Sequence, residues 1–234
     1  MKIIQYNSNR SIVVEFQDEH HAQKHTSYQC FIDGSVKNPY HPTKYGIGFI
    51  GEGESVRING KLKKSYTTWM AMMDRCYKSN DNKNPTYQSC YVCDEWHNYR
   101  NFEKWFNENI YYIDNETMEL DKDILIKNNK KYSPETCCFV PNNINCLFTK
   151  SDKIRGEYPI GVTFHNRDKV FEAWCKDGNK KQIYLGRFSN PTDAFYKYKE
   201  YKENIIKKIA NIYKDKIPVH IYNALINYVV EIND

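Results

Sequence analysis

Several features are missing from this sequence of 234 residues, and each absence narrows the class of protein. It has no stretch of about 18 apolar residues, which is the length that a membrane-spanning helix needs. The first residues, MKIIQYNSNR, turn polar within five positions and so lack the apolar segment of a secretion signal. These absences predict an intracellular chain, in a host cytoplasm, without a membrane partner.

A disulfide framework is also missing, because the eight cysteines are spread without regular spacing in a chain that lacks an export signal. Cys90 and Cys93 form a CxxC pair, which is half of a structural zinc site. A second CxxC is absent, so the other ligands would come from Cys76, Cys137, Cys138 or Cys146. Two interpretations stay open: a zinc site that includes Cys90 and Cys93, and buried free thiols.

The segment from Gly46 to Gly51 has the GxGxxG spacing of dinucleotide-binding loops but lacks the helix that must follow it. That helix is required because its N-terminus faces the pyrophosphate. Here the chain continues as GEGESVRING, which is typical of turn and strand. We therefore expect a glycine-rich turn and no nucleotide cofactor.

Positive charge is concentrated in the last third of the chain. The net charge is +5. Residues 151 to 217 contain 15 Lys and Arg against 9 Asp and Glu, whereas residues 1 to 150 contain 19 against 18. This uneven distribution predicts that a polyanion binds near the C-terminal end.

The N-terminal half reads as a small β module followed by two helices. Short alternating runs such as KIIQY and SIVVEF predict strands within residues 1 to 60. Helical spacing of apolar residues predicts one helix over 66 to 79 and a second over 98 to 109.

The stretch from Met118 to Lys150 combines clustered carboxylates with a strand-turn-strand-helix pattern. MELDKDIL and CCFV suit strands, and Pro141 is suited to the first position of a helix. This ββα unit would place Asp121 and Asp123 on one face of a strand, opposite Asn145 on the helix. Carboxylate and amide oxygens are the ligands that a hard cation prefers.

These residues resemble the HNH-like proteins of bacteriophages, over roughly Trp69 to Lys150. The resemblance rests on the Asp pair, the Tyr-Ser-Pro-Glu-x-Cys turn and the final Asn. It implies a metal-dependent DNA endonuclease of homing type, in which Asp121 and Asp123 hold Mg²⁺ or Mn²⁺ and Asn145 orients the site. Lys122 would then stabilise charge on the phosphate.

The general base of that family is missing, because the neighbourhood reads Asp121-Lys122-Asp123 without a histidine. A lysine with a pKa near 10 is a poor base at neutral pH. Asp123 or the distant His97 would have to replace it. An active nuclease and a DNA-binding module on a degenerate nuclease scaffold therefore both stay open.

The last third predicts three strands from Tyr158, followed through Pro191 by a long helix with one apolar face. Gly161-Val162, Phe171-Glu172-Ala173 and Tyr184-Leu185-Gly186 make it similar to the Apetala, or ethylene-response-factor, DNA-binding domain. In that family the outward side chains of the sheet enter the major groove. Carried over by position, the DNA-binding set is Thr163, His165, Arg167, Lys169, Trp174, Lys176, Gln182 and Tyr184.

The chain as a whole is predicted to be α+β. We expect a β-rich module over 1–60, a degenerate HNH-like ββα domain over 61–150 and an Apetala-type domain over 151–217, in which a three-stranded antiparallel sheet packs on one helix. Residues 218–234, which contain no Lys or Arg, would form a capping tail with a short helix and a strand. The expected partner is double-stranded DNA, in a phage or mobile element. The alternatives are a non-catalytic DNA-binding regulator and a phage inhibitor of a host protein.

Overall fold

The structure is a computed structural model that describes residues 1–78, 89–148, 157–178 and 181–234. It confirms the predicted α+β class, with helices, small antiparallel sheets and a C-terminal three-stranded sheet. The chain forms two compact units. The first contains Met1–Ile110 and Lys130–Glu135, and the second contains Tyr111–Asn129 and Thr136–Asp234. Within the described residues, no helix has both the length and the apolar character required to cross a membrane.

The first unit begins with an antiparallel sheet of β1 (Lys2–Ser8), β2 (Ser11–Glu15) and β3 (Gln23–Thr26). The central strand β2 pairs with a neighbour on each edge, and it carries the buried side chains Ile12, Val13 and Val14. Helix α1 (Tyr28–Ile32) follows, and the Ser27 hydroxyl caps it by accepting a hydrogen bond from the Cys30 N–H at 3.2 Å. This arrangement confirms the β-rich module predicted for the N-terminal end.

Glycine shapes the connection to the next helix. Strands β4 (Arg57–Ile58) and β5 (Lys61–Leu62) form a small hairpin, and its turn residues Asn59 and Gly60 both have positive φ, as a type I′ turn requires. The earlier glycine segment leads into turn rather than helix, as predicted. A Cβ at Gly48 would lie 2.7 Å from the terminal methyl group of Met73 and 3.0 Å from the Trp69 ring, so the chain packs closely against α2 there.

Helix α2 (Lys64–Tyr77), a 3-10 helix (Asp94–His97) and helix α3 (Tyr99–Asn109) form the core of the first unit. The predicted helices over 66–79 and 98–109 are thus present. The Trp69 indole N–H donates to the Trp96 carbonyl at 2.7 Å. Strands β6 (Tyr91–Val92) and β8 (Lys131–Tyr132) pair in parallel beside this core.

The second unit contains a short ββα arrangement. Strands β7 (Met118–Asp121) and β9 (Cys138–Pro141) pair antiparallel, and helix α4 (Asn142–Asn145) packs against both. The sequence pattern placed Pro141 inside the helix, but it ends β9 and occupies the N-cap position. Helix α4 is therefore only four residues long, and part of the segment predicted to continue it lies outside the described residues.

The C-terminal sheet has the order β10-β11-β12, with β10 (Val162–His165), β11 (Val170–Lys176) and β12 (Gln182–Phe188) antiparallel. Helix α5 (Pro191–Ile212) packs on one face of it, as predicted. Asn190 caps α5 by accepting a hydrogen bond from the Asp193 N–H at 2.8 Å, and Pro191 follows at the first helical position.

Helix α5 joins the two hydrophobic clusters of the second unit. Its first half buries Ala194, Phe195 and Tyr198 against the sheet. Its second half buries Ile206 and Ala210 in a cluster with residues of β9, α4 and α6 (Val219–Ile226). The ββα arrangement and the C-terminal sheet therefore share one packed helix.

The tail contains the predicted short helix, α6, but no strand follows it among the residues from 227 to 234. Val230 is buried instead in the cluster beneath the sheet. The Val230 N–H donates to the Glu203 carboxylate at 2.9 Å, and the Lys199 ammonium donates to the Val230 carbonyl. These bonds hold the tail against α5 without a strand partner.

Candidate nucleic-acid interface and metal site

The C-terminal sheet has one face packed on α5 and one face turned away from it. Val162, Ala173 and Cys175 are buried on the inner face. Side chains alternate along a strand, so their neighbours point outward. The interface set predicted from sequence lies on this outer face or in the turn at its edge.

Exposure of the predicted set follows this alternation. Thr163, Lys176, Gln182 and Tyr184 are exposed, whereas His165 and Trp174 are half-buried. The turn between β10 and β11 presents Arg167 and Lys169, which are both exposed. The outer face therefore offers hydroxyl, amide, aromatic and cationic groups to solvent.

Two aromatic rings form a pair at the centre of this face. Trp174 and Tyr184 are cross-strand partners, and their ring centroids are 4.8 Å apart. Such pairs stabilise a sheet by roughly 0.2–1 kcal/mol. The pair places two aromatic rings beside Lys176 and Gln182 on this face.

Three further residues on this face were missed by the sequence interpretation: Asp168, Glu172 and Arg187. The Arg187 guanidinium donates from Nε to Glu172 Oε1 at 3.0 Å and from Nη1 to Asp168 Oδ2 at 2.8 Å. Arg167 donates from Nε to Asp168 Oδ1 at 2.9 Å. Hydrogen bonding from Arg167, with added attraction from His165 and Arg187, holds the pKa of Asp168 below its ordinary value.

Arg187 reaches this face because of a β-bulge. Ala173 pairs with Gly186 while Trp174 pairs with Tyr184, so Leu185 is the extra residue of β12. Strict alternation from Tyr184 would have turned Arg187 inward. The opposite charges of Glu172 and Arg187 were the available signal, but their pairing depends on a register that sequence does not supply.

Charge on the outer face is thus partly cancelled. The guanidinium groups of Arg167 and Arg187 lie beside the carboxylates of Asp168 and Glu172. Lys169 and Lys176, in contrast, make no ion pair within the part of the chain that is described. These two ammonium groups are available to phosphate.

At the candidate metal site, which lies at the end of β7, the Asp121 carboxylate forms hydrogen bonds with nearby backbone N–H groups. Asp121 Oδ1 accepts hydrogen bonds from the N–H groups of Asp123 at 2.7 Å and Ile124 at 2.8 Å. This turn ends the strand, which is why β7 stops at Asp121 although the sequence pattern continues. Burial raises the pKa of Asp121, and the two backbone hydrogen bonds oppose that rise.

Lys122 was predicted to face a phosphate, but its side chain is buried. The residue is 5% exposed. Its Nζ donates to Asp123 Oδ1 at 2.8 Å, to Asp123 Oδ2 at 2.7 Å and to the Asn129 carbonyl at 2.6 Å. Lys122 therefore neutralises Asp123 and closes the loop that follows β7.

Both carboxylates have partners that compete with a hard cation. Asp121 is bound by backbone N–H groups and Asp123 by an ammonium, whereas Mg²⁺ requires carboxylate oxygens that are open to it. In the described parts of the chain, no three His, Cys, Asp or Glu side chains are grouped as metal ligands. Asn145 lies half-buried at the end of α4. Metal-assisted cleavage by these residues stays a prediction.

The predicted replacements for the general base have their own partners. His97 lies in the first unit, where its Nε2 is 3.3 Å from the Tyr77 hydroxyl and its Nδ1 is 3.8 Å from an Asp94 oxygen. Asp123 is held by Lys122. These contacts give neither residue an established role as a base.

The cysteine pair Cys90 and Cys93 flanks strand β6 in the first unit. Cys90 is buried, and burial raises the pKa of the Cys93 thiol, which disfavours the thiolate that zinc binds. All eight cysteines are described, and they form no disulfide bond. Zinc binding by Cys90 and Cys93 stays a prediction.

The chain was compared with known proteins. No family model, no curated protein and no solved structure matches it.

Proposed function

We propose that this protein binds double-stranded DNA through the outer face of the β10–β12 sheet. The observation that carries the proposal is the position of Thr163, Lys176, Gln182 and Tyr184, which are exposed together on the face opposite α5. These hydroxyl, ammonium and amide groups lie on three adjacent strands and are suited to the major groove, which admits β-strands. The HNH-like resemblance over roughly Trp69 to Lys150 and the Apetala-type resemblance over about 55 residues from Tyr158 imply a phage or mobile-element setting for this binding.

Lys169 and Lys176 supply most of the attraction to phosphate in this proposal, because Arg167 and Arg187 are already paired with carboxylates. Two phosphate contacts contribute a logarithmic salt dependence of about −1.8, at about −0.9 for each phosphate neutralised. Removing both lysines should therefore flatten the salt dependence by nearly that amount.

A gel-shift series in increasing salt tests this proposal. The double variant Lys169→Ala, Lys176→Ala is compared with the double variant Lys207→Ala, Lys208→Ala, which removes the same charge from exposed positions of α5. We expect the first variant to bind mixed-sequence duplex more weakly, with a salt slope smaller by about 2. Equal behaviour of the two variants, or no binding by the unaltered protein, would remove the proposal.

A non-catalytic role as a DNA-binding regulator is the form of the proposal that the site favours. The specific observation is the ion pair of Lys122 with Asp123, together with the use of Asp121 as a backbone acceptor. We expect supercoiled plasmid to stay intact with Mg²⁺ or Mn²⁺. Metal-dependent nicking that is lost in Asp121→Asn, a variant that keeps the backbone acceptor, would instead establish the endonuclease.

A further inference from the structure

Glu172 holds an unusual position for a carboxylate on a face that is proposed to approach DNA. Its side chain is only 12% exposed, although it lies on the outer side of the sheet. Oε1 accepts a hydrogen bond from Arg187 Nε at 3.0 Å, and Oε2 accepts one from Trp174 Nε1 at 3.4 Å. One carboxylate thus links an arginine and a tryptophan that come from two adjacent strands.

A second carboxylate fixes the other side of the same guanidinium. Asp168 Oδ2 accepts from Arg187 Nη1 at 2.8 Å, and Asp168 Oδ1 accepts from Arg167 Nε. Arg187 is therefore held on two sides by groups from β11 and from the turn before it. The two carboxylates also cancel the positive charge that Arg167 and Arg187 would otherwise offer to phosphate.

A guanidinium that is paired with carboxylates attracts phosphate weakly, but its remaining N–H groups can still form hydrogen bonds with base edges. A guanidinium has five N–H groups, and Arg187 uses two of them on carboxylates. The other three make no hydrogen bond to the residues that are described. An arginine that is already oriented loses less side-chain entropy when it binds, and arginine pairs with the O6 and N7 acceptors of guanine in the major groove.

We propose that Glu172 is a positioning residue, which orients Arg187 to read a guanine edge and fixes Trp174 beside it. This inference rests on the proposed DNA binding and adds the source of its sequence preference. Glu172 does not touch the DNA in this arrangement. Its removal should therefore change which sequences are bound more than how strongly DNA in general is bound.

The test begins with selection of bound duplexes from a random library by the unaltered protein. The affinity for the selected duplex is then divided by the affinity for mixed-sequence duplex. We expect Arg187→Ala to lose one guanine position and to lower this ratio roughly tenfold, within the range of one bidentate base contact. Glu172→Gln should lose the same position with a similar fall in the ratio, while binding to mixed sequence stays equal or rises.

Two variants separate positioning from charge and from folding. Glu172→Asp keeps the charge but shortens the side chain, so we expect the ratio to fall while mixed-sequence binding is unchanged. Glu200→Gln removes a carboxylate that pairs with Lys197 on α5, and we expect it to leave the selected sequence unchanged. Because a folding defect would weaken binding to both duplexes together, the ratio reports positioning even in a less stable variant.

Each outcome decides a different claim. If the unaltered protein binds DNA but enriches no guanine, the positioning role is wrong while DNA binding stands. If Arg187→Ala loses the guanine and both Glu172 variants keep it, Arg187 reads the base without Glu172. If no duplex is bound at all, the proposed function itself is lost.

Discussion

The outer face of the β10–β12 sheet and the loop from Asp121 to Asn129 carry similar residues and use them in opposite ways. Both contain carboxylates and cations close together. On the sheet, Lys176, Gln182 and Tyr184 remain exposed around the paired groups. In the loop, the lysine itself is buried and the carboxylates hold the local backbone.

This contrast has a physical origin in how each region is covered. A sheet that packs one face on a helix leaves the other face open, so its outward side chains are available to a partner. A loop that ends a strand must satisfy its own backbone groups, and Asp121 and Lys122 do so. Charged residues thus indicate an interaction surface only where they are not already bonded to the local backbone.

The largest effect is expected where the sheet meets its helix, at Gly161. Its φ is +79°, and an added Cβ would lie 2.1 Å from the Tyr198 ring. We expect Gly161→Ala to cost about 3 kcal/mol, from the left-handed backbone and from overpacking together. Amide hydrogen exchange in β11 measures this loss, and DNA binding should fall with it because the outer face depends on that packing.

Gly60→Ala is the matched control for this prediction. Gly60 has a similar φ of +76°, but no atom lies within 4 Å of the added Cβ. We expect this variant to show the backbone cost alone, about 1 kcal/mol, and to leave exchange in β11 unchanged. Protection of β11 that survives Gly161→Ala would mean that the sheet does not need this close contact with α5.

Much of the fold could be predicted from sequence because local patterns set it. The spacing of Trp69, Met72 and Met73 indicated α2, and Pro191 marked the start of α5. The length of α4 could not be predicted, because Pro141 suits a strand end and an N-cap as well as a first helical turn. The sequence also did not show that the tail lacks a strand. The backbone groups of Val230 bond to side chains of α5 instead of to a neighbouring strand.

The sequence predicted the candidate site only where the alternation of side chains along a strand determines which residues face outward. Thr163 and Gln182 follow from strand period alone, whereas Arg187 required knowledge of a bulge. Lys122 required knowledge of the loop that buries it, through Asn129, seven residues away. Sequence alone therefore identified the outward face but not the ion pairs that organise it.

Replacing a lysine by methionine should have different effects in the loop and on the sheet. We expect Lys122→Met to lower the free energy of unfolding of the second unit by about 1.5 kcal/mol, because it removes a buried ammonium from three acceptors. The value is modest because its partner Asp123 is 43% exposed to solvent. Urea unfolding measures it.

Lys176→Met should affect DNA affinity rather than stability. Lys176 is exposed on the sheet, so we expect a change in stability below about 0.5 kcal/mol and a measurable loss of DNA affinity. Lys122→Met should leave DNA affinity per folded molecule unchanged. If the two variants weakened DNA binding equally, the loop would belong to the interface and the contrast would fail.

The last expected effect is the dependence of stability on pH at Asp121. Burial raises the pKa of this carboxyl in the folded state above its ordinary value of 3.8, so the folded chain retains the proton longer than the unfolded chain. Its contribution is therefore most favourable below pH 3.8, and stability is lost as pH rises through the folded pKa. The scale is about 1.4 kcal/mol for each unit of pKa difference.

Asp121→Asn keeps the backbone acceptor and removes the titration, so its stability relative to the unaltered protein should improve between pH 4 and pH 7. Glu103 gives the opposite sign, because hydrogen bonds from Tyr99, Arg100 and Lys63 outweigh its burial and hold its pKa below 4.5. Urea unfolding at pH 4 and pH 7 measures Asp121→Asn, with Glu103→Gln as the variant of opposite sign. An Asp121→Asn difference that does not change with pH would place that carboxylate in solvent, where a metal could reach it.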